Sequence, residues 1–258
     1  MTARISTGAG LADERRETIV RLLAAEGRVV ASQLGERLGV STDTVQRDLV
    51  QLEDRGLVRR VRGGALPPSP GPADAVARQE HDLAAKVRIA AAAWDALSGP
   101  ATIGLAGGST TRLMAERAPA GRDLVAMTSS PAVADALVGV AGVETHLVGG
   151  RLDPRSRTLV GPPAVDAFRR FRPDAVVLSA CSIDPDAGVT MQSADEASVV
   201  AAMVLGARRL VVLATAERLG TAAPFLVAAA ADVDVLVTDA PPADTAVYAE
   251  HGIAVVQA

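Results

Sequence analysis

The chain has 258 residues, of which 49% are apolar and only 2% aromatic, with a formal net charge of −4. That length suits two domains better than one, and the core must be aliphatic and alanine-rich. The single cysteine, Cys181, excludes an intrachain disulfide and a thiolate metal cluster, and no run approaches the roughly 20 apolar residues of a membrane helix.

The charge is uneven: residues 1–66 carry 11 arginines against 9 acids, and the remainder 15 basic residues against 21 acids. A mildly basic head on an acidic body fits nucleic-acid binding confined to one end. Asp13 and Glu14 fall where the apolar core of an export leader would sit, so a cytoplasmic protein without a membrane partner is expected.

Residues 1–11 are rich in Gly, Ala and Thr without periodicity and are expected to be loose. Asp13–Glu26 is predicted as a first helix, with Ile19, Leu22 and Leu23 inward and Asp13 as a cap. Gly27 stops it, and Val29-Val30 supplies a short strand. Leu34 and Leu38 then share one helical face, Gly39-Val40-Ser41 makes a turn, and Ser41 caps the next helix. In that helix Val45, Leu49 and Leu52 recur at i, i+4, i+7. Asp43, Thr44, Gln46 and Arg47 project elsewhere, near the helix N-terminus, where a recognition helix meets base edges. Gly56 suits a left-handed helix end. Leu57 to Gly64 follows as a strand and turn carrying Arg59, Arg60, Arg62 and Gly63. Helix-turn-helix spacing alone also fits any small three-helix unit; the basic wing beside the second helix favours DNA.

Leu66 to Pro72 holds four prolines in seven residues, which continue neither a helix nor a central strand. It is read as a linker, dividing the chain into residues 12–66, a connection at 67–73 and a body at 74–258. Ala75–Leu97 is predicted helical. Short apolar runs then follow at Thr102–Leu105, Leu124–Met127, Glu144–Val148, Ala175–Ser179, Leu210–Ala214, Val233–Thr238 and Ala254–Val256. Amphipathic segments between them include Val165–Phe171, Glu196–Leu205 and Ala243–His251. Fully apolar strands alternating with helices predict an α/β body with a mostly parallel sheet covered on both faces.

In such a sheet ligands bind beyond the carboxyl ends of the strands. Ala106-Gly107-Gly108-Ser109-Thr110-Thr111 offers two glycines for close backbone approach and three hydroxyls, which suits a phosphate; the plain alternative is an ordinary strand-to-helix turn. It is neither a Walker A loop nor G-x-G-x-x-G. Thr128-Ser129-Ser130-Pro131 and Gly149-Gly150-Arg151 follow the next two strands, and the three loops are expected to converge at one sheet edge. Lys86 is the only lysine among 26 basic residues: a helix-surface position in an arginine-favouring chain, or a functional ammonium. His81, His146 and His251 are isolated, so no zinc site and no cofactor is expected. Asp184-Pro185-Asp186 reads as a turn, with a cation as the alternative. Cys181 and Trp94 are expected in the core.

Ser41-Thr42-Asp43-Thr44-Val45-Gln46-Arg47-Asp48-Leu49, Leu52-Glu53, Gly56-Leu57 and Arg60-Val61-Arg62-Gly63-Gly64-Ala65 closely resemble the DNA-binding signature of DeoR-type bacterial transcriptional regulators. Gln46 departs from it, since arginine is usual there. Glu80, Lys86, Ile103 to Thr111, Thr128-Ser129, Gly149-Gly150, Gly161, Asp174, Gly188, Asp195-Glu196 and Thr238-Asp239 look like the effector domain of the same family, itself similar to ribose 5-phosphate isomerase. The resemblance implies a winged helix-turn-helix that reads bases through Asp43, Thr44, Gln46 and Arg47 and holds phosphates through Ser41, Thr42 and the wing. It implies a homo-oligomer, dimer or tetramer, on a double-stranded operator, repressing carbohydrate-metabolism genes. The implied effector is a phosphorylated sugar or related anionic metabolite, held by Gly108, Ser109, Thr110, Thr111 and neighbouring loops, with Lys86 and Arg218 contributing. Three departures bear on it: Ala106 stands where aspartate is usual, Ser129 where asparagine is usual, and Thr215-Ala216-Glu217-Arg218 where the family has Asp-x-Ser-Lys. Two other functions stay open here: a sugar-phosphate isomerase or transferase with an appended helical domain, and a DNA-binding protein that has lost its ligand response.

Overall fold

The computed structural model describes residues 7–68, 79–97 and 99–258, with side chains from residue 12 onward. They form two compact units, one built from residues up to Pro68 together with Gly220–Ala222 and the other from the remaining residues. Most of the expected linker and the start of the Ala75–Leu97 helix lie outside the described residues.

The first unit begins with α1 (Thr7–Glu26), six residues earlier than predicted from Asp13. Asp13 is therefore not a cap; it sits inside the helix and pairs with Arg16 at 2.6 Å. β1 (Val29–Val30), α2 (Ala31–Leu38), α3 (Thr42–Asp54), β2 (Arg59–Val61) and β3 (Gly64–Leu66) follow. The three strands form one antiparallel sheet with β3 in the middle, so Val29-Val30 does join the wing. Ile19, Leu23, Leu34, Val45, Leu49 and Leu52 share one core. Each such side chain, fully buried, contributes about 1.5–3 kcal/mol. That aliphatic cluster fixes which face α3 turns outward.

The second unit opens with α4 (Leu83–Ala93), shorter than predicted, because Asp82 takes a left-handed φ of 51° at its start. A seven-stranded sheet follows, made of β4 (Thr102–Leu105), β5 (Leu124–Thr128), β6 (Val143–Leu147), β9 (Ala175–Ser179), β12 (Leu210–Ala214), β14 (Val235–Thr238) and β15 (Ala254–Gln257). Every neighbouring pair is parallel. The order β15-β14-β12-β9-β4-β5-β6 places β4 and β9 side by side at the sheet centre, where the winding reverses.

Alternation within the central strands explains why they read as unbroken apolar runs. Ala175 and Val177 of β9 face one core with Ile89, Trp94, Met114 and Leu137. Val176 and Leu178 face the other, with Phe168, Val200, Met203 and Tyr248. Helices α4, α5 (Ser109–Ala115) and α6 (Pro131–Leu137) cover the first face; α7 (Pro162–Arg169), α8 (Ala194–Leu205) and α9 (Pro242–Glu250) cover the second. Trp94 is core, as expected, and its indole N–H donates to the Met114 carbonyl at 2.8 Å.

Two small antiparallel features escaped the sequence reading. β7 (Arg151–Leu152) pairs with β8 (Leu159–Val160). β10 (Ser182–Asp184), β11 (Gly188–Met191) and β13 (Phe225–Ala228) form a separate sheet. Asp184 turns the β10–β11 hairpin, its Oδ1 accepting from Asp186 N at 3.0 Å and Ala187 N at 2.8 Å. That favours the plain turn over a cation ligand.

Candidate functional site

In the first unit, Ser41 caps α3: its Oγ accepts from Thr44 N at 3.2 Å. Gly56, past the end of α3, has φ +71°, as the sequence predicts. Val45, Leu49 and Leu52 face the core, so the other side of the helix is presented outward. Ser41, Thr42, Asp43 and Arg47 are exposed, and Thr44 and Gln46 half-buried. On the wing, Arg60, Arg62 and Gly63 are exposed, whereas Arg59 is half-buried and donates to Glu53 Oε1 at 2.9 Å. The Arg60 amide donates to the same oxygen at 3.0 Å. Glu53 therefore ties the wing to the end of α3 and holds Arg59 in an ion pair.

Sequence reading missed Asp48. It is 3% exposed, on the inner side of the helix that carries Arg47. Arg15 reaches it from α1, Nε to Oδ2 at 2.5 Å and Nη2 to Oδ1 at 3.1 Å. Arg16 adds a longer contact of 3.6 Å and a hydrogen bond to Gln51. The pairing raises the Arg15 pKa, chiefly through the hydrogen bond with Asp48. An arginine on α1 facing an aspartate four residues before a leucine of α3 is a long-range pairing that one sequence does not reveal.

In the second unit, the Gly107–Thr110 loop ends β4 beside the end of β9, at the topological switch point where open α/β sheets bind ligands. Gly108 has φ +143°, and a Cβ there would lie 2.8 Å from Ser179 Cβ. Only glycine meets both conditions. A cavity at this point is bounded by Gly107, Thr110, Lys86, Glu196, Thr215 and Arg218, among others. Lys86 is 6% exposed and donates to the His81 carbonyl, so it is no surface lysine. Arg218 Nη1 donates to the Cys181 carbonyl at 3.3 Å, and its Nε lies 3.2 Å from Glu217 Oε1.

Several sequence expectations shift. Thr111 is fully buried, with Oγ1 2.7 Å from Ser179 Oγ, and its amide donates to that oxygen at 3.0 Å. Its hydroxyl braces the two central strand ends. Thr128 Oγ1 accepts from Ser130 N at 3.0 Å, and Ser130 caps α6. Ser129 is buried and its carbonyl accepts from Leu159 N at 2.7 Å. Gly149 and Gly150 are exposed, and Arg151 pairs with Asp195 at 2.6 Å; among the described residues these three do not line the switch-point cavity. Cys181 is half-buried: it packs against the core that holds Val176 and Leu178 and also lines that cavity. His81 and His146 each meet a single carboxylate and not a pair: His81 Nε2 lies 2.8 Å from Glu217 Oε2, and His146 Nε2 2.7 Å from Glu144 Oε1.

A winged helix-turn-helix head with an outward recognition helix, and a parallel-sheet body with a cation-lined switch-point cavity, define a two-part DNA-binding regulator. Residues 15–70 match the DeoR-like helix-turn-helix domain and residues 81–240 the DeoR C terminal sensor domain. The chain is similar to the HTH-type transcriptional regulator GlpR of Haloferax volcanii, 34% identical over 229 residues, covering 88% of this chain and 89% of that protein. It is similar to a putative aga operon transcriptional repressor of Escherichia coli O157:H7, 30% identical, covering 88% and 86%. Among solved structures, ribose 5-phosphate isomerase A of Methanocaldococcus jannaschii matches 52% of this chain and 53% of its own, at 14% identity and a TM-score of 0.36. The protein belongs to the DeoR family of transcriptional regulators. Among the described residues no helix is long and apolar enough to cross a membrane.

Proposed function

We propose that this regulator is a cytoplasmic repressor of carbohydrate-metabolism genes whose body, residues 74–258, senses a phosphorylated sugar or related anionic metabolite. Residues 12–66 bind double-stranded operator DNA, and residues 67–73 connect the two. Arg47, Gln46, Thr44 and Asp43 read base edges. Ser41, Thr42, Arg60, Arg62 and the amide of Gly63 hold phosphates, with Arg59 joining them when Glu53 yields it. One such head buries a modest interface, so a dimer or tetramer engages repeated half-sites. The names of two relatives, the putative aga operon transcriptional repressor and the Glycerol-3-phosphate regulon repressor of Escherichia coli, are in keeping with this reading.

The observation that carries the sensor reading is the pairing of Lys86 and Arg218 around a glycine loop at the switch point. Two cations and the hydroxyls of Ser109 and Thr110 suit a phosphoryl group and leave its sugar toward Glu196. An incoming phosphoryl competes with Glu217 for Arg218. Glu217 also holds His81, which lies shortly after the connection to the head, so displacement of that carboxylate is a route for the signal. Turnover is not part of the reading: Ala106 and the Thr215–Arg218 loop lack the usual acids, and Asp184 is committed to its turn.

The test is binding of the purified full-length protein to DNA upstream of its own gene, against a scrambled duplex, with and without a panel of sugar phosphates. Preferential binding that one sugar phosphate weakens supports the reading. Equal affinity for both duplexes overturns the DNA assignment, and indifference to every phosphorylated compound overturns the sensor assignment.

A further inference from the structure

A second cavity adjoins the first across Gly108 and Ser109. Its other walls include Arg112, Ser130, Ser156 and Arg157. No acidic residue lines it, whereas the first cavity has Glu196 in its wall. Of its side chains only Ser109 and Ser130 belong to the sequence motifs.

Arg157 is held there at a conformational cost. Its φ is +56°, one of two positive values outside glycine among the described residues. A bulky residue in the left-handed region is uncommon, and such strain clusters at ligand clamps. The hairpin between β7 and β8 imposes it. Asp153 Oδ1 accepts from the amides of Arg155 and Ser156 at 3.0 and 2.9 Å and from Ser156 Oγ at 3.1 Å. The Arg157 amide donates to the Asp153 carbonyl at 2.8 Å. These bonds order the turn yet leave the guanidinium itself without a hydrogen-bonding or ionic partner among the described residues.

The same hairpin lies over the glycine loop. A Cβ on Gly107 would fall 2.2 Å from Thr158 Cγ2, so the residue after Arg157 is packed directly on the cradle. Arg112 comes from the opposite side, on α5. One of its Nη atoms pairs with Glu116, while its Nε is buried without a hydrogen-bond partner. A buried donor left unsatisfied costs about 1–3 kcal/mol, and an anion in this cavity would satisfy it.

We propose that the glycine loop separates two anion subsites, one at Lys86 and Arg218 and one at Arg112 and Arg157. The effector is then a metabolite with two anionic groups, a phosphoryl at one end and a second phosphoryl or a carboxylate at the other. This rests on the reading of the body as a sensor of phosphorylated compounds and narrows its ligand class. Ser130 supplies a hydroxyl donor to the second group, and Ser109 stands between the two subsites.

The experiment is calorimetric titration of the full-length protein with two matched pairs: fructose 6-phosphate against fructose 1,6-bisphosphate, and glycerol 3-phosphate against 3-phosphoglycerate. In at least one pair the member with two anionic groups binds about tenfold tighter or more, as an added charge-assisted contact predicts. R157G removes the guanidinium and relieves the backbone; it keeps or raises the melting temperature, abolishes that preference and leaves binding of the member with one anionic group unchanged. Equal affinity within both pairs overturns the two-subsite proposal while leaving the sensor reading intact. So does an R157G protein that keeps the preference. Absence of binding by all four compounds overturns the sensor reading and this inference with it.

Discussion

Arg15 and Asp48 join α1 to the inner side of the recognition helix through two hydrogen bonds of 2.5 and 3.1 Å. Asp48 is 3% exposed and directly follows Arg47, the residue assigned to base edges. A partnered charge at such a site contributes less by attraction than its removal costs, because the abandoned partner stays desolvated. Asp48→Ala strands Arg15, whose side chain is 20% exposed. The expected loss is about 2–3 kcal/mol, below the fully buried range because water reaches the arginine. Amide exchange over residues 15–55 of the full-length protein, together with operator affinity, reads it. Faster exchange and weaker binding are expected, with Asp48→Asn milder in both. Unchanged protection would mean that the aliphatic core alone positions α3.

Arg47 and Arg60 are both exposed, one on the recognition helix and one on the wing, and they separate specificity from affinity. Arg47→Ala should cost about 1–3 kcal/mol on cognate DNA and little on random DNA. Arg60→Ala should weaken both and reduce the salt slope by about one unit. A salt series on the two duplexes distinguishes them, and identical behaviour of the two variants would contradict the division of roles.

The glycine loop depends on backbone geometry more than on its hydroxyls. Gly108→Ala places a methyl carbon against Ser179 at a φ of +143°. The strain, about 1–3 kcal/mol, falls on the loop that separates the two cavities. Phosphate-compound binding should be lost while operator binding by the head persists. A variant that still binds a sugar phosphate at wild-type affinity would remove this loop from the site.

How much of this was legible follows the physics of each signal. β4, β9 and β12 were found to the residue because both faces are covered, leaving Thr102–Leu105, Ala175–Ser179 and Leu210–Ala214 as apolar runs with sharp ends. The β10–β11 hairpin and the β7–β8 ribbon have two to four residues per strand, too few to show a period. α1 began early because its first residues are small and show no apolar stripe. In the site, the glycine cradle was visible as composition and Lys86 and Arg218 through the family resemblance, but Arg112 and Arg157 were not. Arg151 and Arg157 stand six positions apart on one hairpin, and only its packing on Gly107 decides which of them reaches a cavity. Lys86 read either as a helix-surface residue of an arginine-favouring chain or as a functional ammonium, and the fold, by burying it, removes the first reading.

Acid should weaken the body through two carboxylates. Asp174 has its pKa lowered from the ordinary 3.8, first by the hydrogen bond from the Thr102 hydroxyl and then by the Thr102 amide. Asp153 is lowered too, chiefly by the Ser156 amide. A depressed folded pKa gives a contribution that is complete above the unfolded value and disappears as pH falls through the folded one. The melting temperature should therefore decline between about pH 5 and pH 2. Asp174→Asn should start lower and decline less over that window. Parallel curves for variant and wild type would show that Asp174 is not a source of the acid lability.

Glu217 holds the guanidinium that the proposed effector would engage. Its Oε1 lies 3.2 Å from Arg218 Nε and its Oε2 2.8 Å from His81 Nε2. Arg218 is 11% exposed at the side chain, so its charge needs a partner whether the cavity is filled or not. A carboxylate of the chain serves in the absence of ligand and must be displaced on binding, which lowers the apparent affinity by the fraction of molecules in which it is engaged. Glu217→Gln removes the charge but keeps the shape. Affinity for a sugar phosphate should rise about 3–10-fold, while Arg218→Ala should reduce it by a similar factor or more. If Glu217 is instead a ligand to the sugar hydroxyls, Glu217→Gln weakens binding, and the sign of the change decides between competitor and contact. Operator release measured on the same variant tests the route through His81: tighter effector binding with less release would mean that the Glu217–His81 contact carries the signal.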